Sequence, residues 1–135
     1  MKYWLISLPR EDMEHCIKVG VFGMNKKGSL GAVKKDDGIV CYVTKERKII
    51  GLGKVSEPYY MDDSTVFLKD GLFPDRINIA FKKLTKEVDF IQLLDQFDFI
   101  TNIAYWSVYL RSGFTEITKK DWDLINKAAG SLKSA

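Results

Sequence analysis

The chain has 135 residues, about the size of one domain, and reads as a single unit over 1–135. Hydrophobic residues make up 46% and charged residues 29%, which excludes a disordered chain, a collagen or one long coiled coil. The early apolar run from Tyr3 to Leu8 is far short of the ~20 residues that span a membrane, and no cleavage region follows it, so a cytoplasmic protein without a membrane partner is expected.

Tyr3-Trp4-Leu5-Ile6-Ser7-Leu8, rich in β-branched and aromatic residues and closed by Pro9, predicts a buried strand. Glu11 to Val19 predicts a short helix with acids in its first turn and Gly20 as its stop; Met13, Cys16 and Ile17 give it one apolar face. Val21 to Lys35 has weak periodicity and three glycines, so it reads as a basic loop with room for one helical turn near Leu30 to Val33.

Asp36-Asp37-Gly38 supplies a turn, and Ile39 to Val43 and Ile49 to Val55 flank Lys45-Glu46-Arg47-Lys48 as a hairpin. Gly51 and Gly53 share one face of the second strand and predict a sharp bend or a close backbone approach. Ser56 to Asp75 reads as one long irregular loop, a length that suits function better than connection. Arg76 to Phe81 alternates as a half-buried strand, Asp89 caps a helix to about Asp95, and Phe99-Ile100 is strand-like. Thr118 to Asp121 fits a capping box in its acidic variant, with Ile117 stapled onto Trp122 and Gly130 as the stop. Many short strands with few crossover helices predict an α+β fold, a small mixed β-barrel of about five to six strands, and not a parallel α/β sheet.

Candidate chemistry is sparse. His15 is the one histidine, and Cys16 and Cys41 lack C-x-x-C spacing, so Cys and His alone cannot build a zinc site. A Ser-His or Cys-His mechanism would have to use His15; the simpler reading puts His15 on a helix surface and makes Cys16 a small buried hydrophobe. No glycine motif for phosphates stands in a strand-turn-helix context. Asp36-Asp37 and Asp62-Asp63 are adjacent acids in turns, where solvation is the rule and acid-base catalysis the exception. Neither an enzyme nor a cofactor nor a metal is expected.

The charge pattern is more informative. Net charge is only +3, but Lys26, Lys27, Lys34, Lys35, Lys45, Arg47 and Lys48 are opposed within their stretch only by Asp36, Asp37 and Glu46. Such a stretch attracts phosphates, and it is equally compatible with a solvated loop and hairpin tip. Aromatics interleave with it. Phe22 opens the basic loop directly after the helix stop, Tyr59-Tyr60, Phe67 and Phe73 lie in or beside the long loop, and Tyr105-Trp106-Tyr109 follow later. Rings beside lysines can stack an unpaired or flipped base while the cations hold its phosphates; taken singly, each ring is explained as well by the core.

Several blocks then resemble a known family. Tyr3-Trp4-Leu5-Ile6, Ile17-Lys18-Val19-Gly20-Val21-Phe22-Gly23, Lys26-Lys27-Gly28-Ser29-Leu30 and Asp37-Gly38-Ile39-Val40-Cys41-Tyr42 come first. Ile50-Gly51-Leu52-Gly53-Lys54-Val55-Ser56-Glu57-Pro58-Tyr59 and Phe99-Ile100-Thr101-Asn102 before Tyr105-Trp106-Ser107 follow in order. This pattern resembles the EVE domain, a member of the PUA-like group similar to the YTH domain. The resemblance implies a compact β-barrel flanked by helices and a role in reading a modified, methylated base in DNA or RNA. It also implies that the ring at Phe22, commonly tryptophan in the family, stacks the base and that the Gly23 backbone bonds it. Trp106 matches a later family tryptophan. Pro9 stands where relatives often carry asparagine.

The expected site is therefore a base pocket of Phe22, Trp106 and a ring from Tyr59, Phe67 or Phe73. Gly23 N–H with Ser7 or Asn25 would bond the base edge, and Lys26, Lys27, Lys34 and Lys35 would hold phosphates. Two alternatives stay open: an RNA binder indifferent to modification, and a domain that binds a small molecule or a protein.

Overall fold

The computed structural model describes residues 1–25, 30–62, 64 and 73–130; Lys26, Lys27 and Phe67 of the expected site lie outside them. Six strands are formed among the described residues: β1 (Tyr3–Leu8), β2 (Val21–Met24), β3 (Gly38–Val43), β4 (Lys48–Met61), β5 (Asp75–Asp89) and β6 (Phe114–Ile117). They build one mixed sheet in the order β2-β5-β4-β3-β1-β6, with β1 and β3 parallel and the other neighbours antiparallel.

The near-continuous apolar runs of β1 and β3 have a simple cause: both strands are covered on both faces. Trp4, Ile6, Ile39, Cys41 and Val43 point into an inner cluster that also takes Met13 of helix α1 (Arg10–Val19). Leu5, Val40 and Tyr42 point the other way. There they meet helix α2 (Lys119–Ala128) and residues of two 3-10 helices, Ile91–Gln96 and Ile103–Leu110.

β2 and β6 are the opposite edges of this sheet, yet they come together. The Phe22 and Phe114 rings stack 6.2 Å apart, and Phe114 stacks on Trp4 at 4.7 Å. The sheet is thus curled into a six-stranded half-barrel in an α+β fold, in agreement with the mixed-barrel reading. Gly53 belongs to the curl: a Cβ there would lie 2.7 Å from Ile79 Cγ2 and 3.0 Å from the Ala80 carbonyl oxygen. Register breaks after Ile49, Val55 and Glu57 bend β4 further against β5.

Several local readings hold. Helix α1 ends at Gly20 in the left-handed region, φ 76°, and buries Met13 and Cys16. Burial pushes the Cys16 thiol up to about 12 and raises that of Cys41 as well, so both behave as apolar side chains. His15 sits half-buried on α1. The capping box of α2 is complete, with Asp121 N–H donating to Thr118 Oγ1 and Thr118 N–H donating to the Asp121 carboxylate.

Others are corrected. Residues 21–24 form a strand and not a loop, because the partner that orders them is the distant start of β5. Residues 30–33 form a turn closed by Val33 N–H on the Leu30 carbonyl. The long irregular loop is shorter than read: β4 continues to Met61 and β5 starts at Asp75, with bulges that scramble the period-two pattern. β5 also runs beyond residue 81 to Asp89; the helix expected after it is present as a 3-10 helix, with Asp89 Oδ1 accepting the Ile91 N–H. Residues 99–100 are not a strand; Asp98 and Phe99 give their N–H groups to Asp121. Strand β6 carried no signal in its four residues. Asp37, read as solvated, is 2% exposed.

Arg10 at the start of α1 makes a fork to Glu46 in the β3–β4 turn and another to Glu87 on β5. Its guanidinium lowers both carboxyls from their ordinary value of 4.5. Depressed acids contribute stability above the unfolded-state value and lose it as pH falls through the folded one. Arg10→Ala is therefore expected to melt slightly lower than the parent at pH 7, and the gap should close as pH drops below 4.5. Paired thermal melts across that range check this.

Candidate functional site

At the seam where β2 faces β6, each of these edge strands is paired with a neighbour on one side only. Ile79 N–H donates to the Gly20 carbonyl, which makes 20 and 79 a hydrogen-bonded pair. Antiparallel alternation then sets Phe22/Ile77 and Met24/Asp75 in bonded positions and Gly23/Arg76 in a non-bonded one. The N–H and C=O of Gly23 consequently point away from β5, toward the open edge. This geometry suits the role expected of Gly23.

Phe22 itself is only 3% exposed and packs in the inner cluster with Phe114, Met24 and Tyr59 around it. Trp4, Phe114 and Phe22 form a three-ring stack across β1, β6 and β2, and Trp4 Nε1 donates to Asp37 at 3.0 Å. Tyr59 O–H donates to Asp75 Oδ1 at 3.3 Å, and Asp75 is fully buried. Burial first, and the Asp75 charge second, raise the Tyr59 phenol.

Asn25 is exposed, and its Oδ1 accepts the Phe73 N–H at 3.0 Å. Phe73 holds a left-handed φ of 44°, rare for an aromatic residue, and its carbonyl accepts from Arg76 Nε. Phe22, Gly23, Asn25, Tyr59 and Phe73 are thus brought to one region by β2 and its connection to β5.

Ser7 and Trp106 are not brought there. Ser7 shares a face with Leu5, not with Trp4 and Ile6, and its hydroxyl donates to the Leu110 carbonyl. Trp106 lies in the outer cluster between Phe90, 5.8 Å away, and the Arg47 guanidinium, 5.6 Å from its ring centroid. The alternation of β1 separates the two faces. Lys34 and Lys35 are exposed directly after Leu30 and Val33, which are buried in the inner cluster with Phe22.

Arg76 was missed by sequence reasoning. It is 2% exposed, donates to Phe73 O and to Ser64 Oγ and O, and lies 3.6 Å from the Asp62 carboxylate. It ties together the two ends of the β4–β5 connection. An arginine at the polar phase of an alternating strand looks solvent-facing, so no local signal marks it. Phe114 was missed for a similar reason, since its partners are on other strands. Among the described residues no group of three or more His, Cys, Asp and Glu is placed to hold a metal ion.

Comparison with known proteins settles the family, because the EVE domain matches residues 2–128. The chain belongs to the EVE domain family. This EVE domain is 31% identical to the UPF0310 protein PH1033 of Pyrococcus horikoshii over 94% of its own length and 98% of that protein. Its fold is similar to that of the YTH domain of Zygosaccharomyces rouxii MRB1, solved with N6-methyladenosine RNA. The TM-score is 0.72 at 13% identity, over 98% of this chain and 89% of that one. It is also similar to human THYN1, solved with DNA containing 5-methylcytosine. Here the TM-score is 0.61 at 13% identity, over 98% of this chain and 100% of that one. No helix of this EVE domain among the described residues is long and apolar enough to cross a membrane.

Proposed function

We propose that this EVE domain is a nucleic-acid-binding module, not an enzyme, that takes one unpaired or flipped base, carrying a methyl group, at the β2–β6 seam. The observation that carries the reading is the meeting of the two sheet edges at Phe22 and Phe114, with the Gly23 backbone turned outward beside them. Phe22 offers the stacking face, Gly23 a donor and an acceptor for the base edge, and Lys34 and Lys35 a cationic rim. Two structures of similar fold, the MRB1 YTH domain with methylated RNA and THYN1 with methylated DNA, support a nucleic acid as the partner. A methyl on the base gains only about 0.8 kcal/mol by apolar burial, so selection for it depends on fit as well.

One observation favours a second reading, an RNA binder indifferent to modification that uses the basic rim. Phe22 is covered, so a base reaches its face only if the packing above it opens. Phe22→Leu separates the two readings, because leucine keeps an apolar side chain in the inner cluster but offers no ring. If the base stacks on Phe22, affinity for a methylated single-stranded oligonucleotide falls about tenfold or more, with the fold intact by circular dichroism. Unchanged affinity with a steep salt dependence would favour the rim alone.

A further inference from the structure

The β3–β4 turn and the second 3-10 helix present a surface on the outer face that the seam does not use. In the turn, Glu46 is drawn back onto Arg10, so its charge is neutralised within the fold. Lys45 and Arg47 are left as the exposed charges at the tip, both in the left-handed region at φ 67° and 58°. The backbone of Arg47 is pinned on both sides, its N–H to the Val43 carbonyl and its carbonyl to the Phe90 N–H.

The guanidiniums of this chain are used differently. That of Arg10 is filled by the carboxylates of Glu14, Glu46 and Glu87, and that of Arg76 is buried. That of Arg47 sits over the Trp106 ring, 5.6 Å from its centroid, and pairs with no carboxylate among the described residues. Tyr105, the chain neighbour of Trp106, is 65% exposed, at the point where the 3-10 helix kinks, φ −120° and ψ 33°. The kink is held: Asn102 Oδ1 accepts from Ala104 N–H, and Asn102 N–H donates to the Tyr109 hydroxyl. A guanidinium over a ring and without a carboxylate partner, near an exposed tyrosine, matches a phosphate followed by a base.

We propose that Arg47 on Trp106, with Lys45 and Tyr105, forms a second nucleic-acid contact. Arg47 holds a backbone phosphate, and Tyr105 stacks a base of the single strand that flanks the one at the seam. The inference rests on the nucleic-acid reading above. It is tested with labelled oligothymidylates of about 4 and about 16 nucleotides, a range that spans common site sizes.

The parent should bind the longer strand more tightly. Arg47→Ala should weaken only the longer strand, by about tenfold, and reduce its salt slope by about 1. Tyr105→Ala should weaken the same strand by about tenfold without changing the slope. Both positions are exposed, so neither variant threatens the fold. Loss of binding to the longer strand in these variants, with Phe22→Leu harmless to both strands, would sustain this contact and sink the seam reading. Unchanged binding of both strands by Arg47→Ala and Tyr105→Ala overturns the contact and leaves the seam reading standing. A parent that binds neither strand at low salt overturns both. A concentration-dependent dimer abolished by Tyr105→Ala also overturns the contact, since the exposed Ile103, Tyr105 and Val108 would then face a second copy.

Discussion

Asp37→Ala is expected to lower stability by about 3–5 kcal/mol, which is a large share of the ~5–15 kcal/mol that holds a domain of this size together. The Asp37 carboxylate accepts from Lys2 N–H at 3.0 Å, Trp4 Nε1 at 3.0 Å and Lys34 N–H at 2.9 Å. Hydrogen bonds to a charged acceptor contribute about 1.5–3 kcal/mol each, and an indole left unpaired in the core costs about 1–3 kcal/mol more. Their sum is not additive, because Lys2 and Lys34 are exposed enough for water to replace part of the loss. Asp37→Asn should fall in between, since its amide donors would confront the same three donors. Urea unfolding checks both: the midpoint should drop with the slope unchanged. A loss under about 1 kcal/mol for Asp37→Ala would mean that water satisfies these donors as well as the carboxylate does.

Asp121→Ala is expected to cost about 3 kcal/mol, more than the loss of an ordinary helix cap at about 1 kcal/mol. Its carboxylate closes the capping box on Thr118 N–H and also accepts from Asp98 N–H at 2.6 Å and Phe99 N–H at 3.1 Å. The same side chain therefore fixes both α2 and the segment that leads to the second 3-10 helix. Asp121→Glu is the more discriminating variant. Glutamate is the usual residue of a capping box, so on the helix rule alone the change is neutral. Asp121 is fully buried, however, and an added methylene in a filled site costs about 1–3 kcal/mol. Thermal or urea unfolding that finds Asp121→Glu as stable as the parent would show that the site has room.

These two aspartates also mark where local reasoning reaches and where it stops. The cap at Thr118 and Asp121 is a pattern confined to four consecutive residues, so it could be read directly. That the same carboxylate holds residues 98 and 99 depends on packing more than 20 positions away. Asp37 beside Asp36 looked like half of a solvated turn. Its burial arises because β1 runs parallel to β3 and delivers Trp4 and Lys2 to it.

The candidate site divides in the same way. The linear pattern carries the period and composition of β1, β3 and both α-helices, the glycine stop of α1, and the family resemblance that singled out Phe22 and Gly23. Those features are carried by short-range spacing, which a linear pattern preserves. Long-range packing decided that β2 is a strand, that Phe22 is covered by Phe114, and that Ser7 and Trp106 belong to the other face. It likewise decided that Arg76 is buried and that Arg47 lies over Trp106. Edge strands of four residues and rings that meet across a curled sheet take their order from partners distant in the chain, and no local pattern records which partner closes the seam.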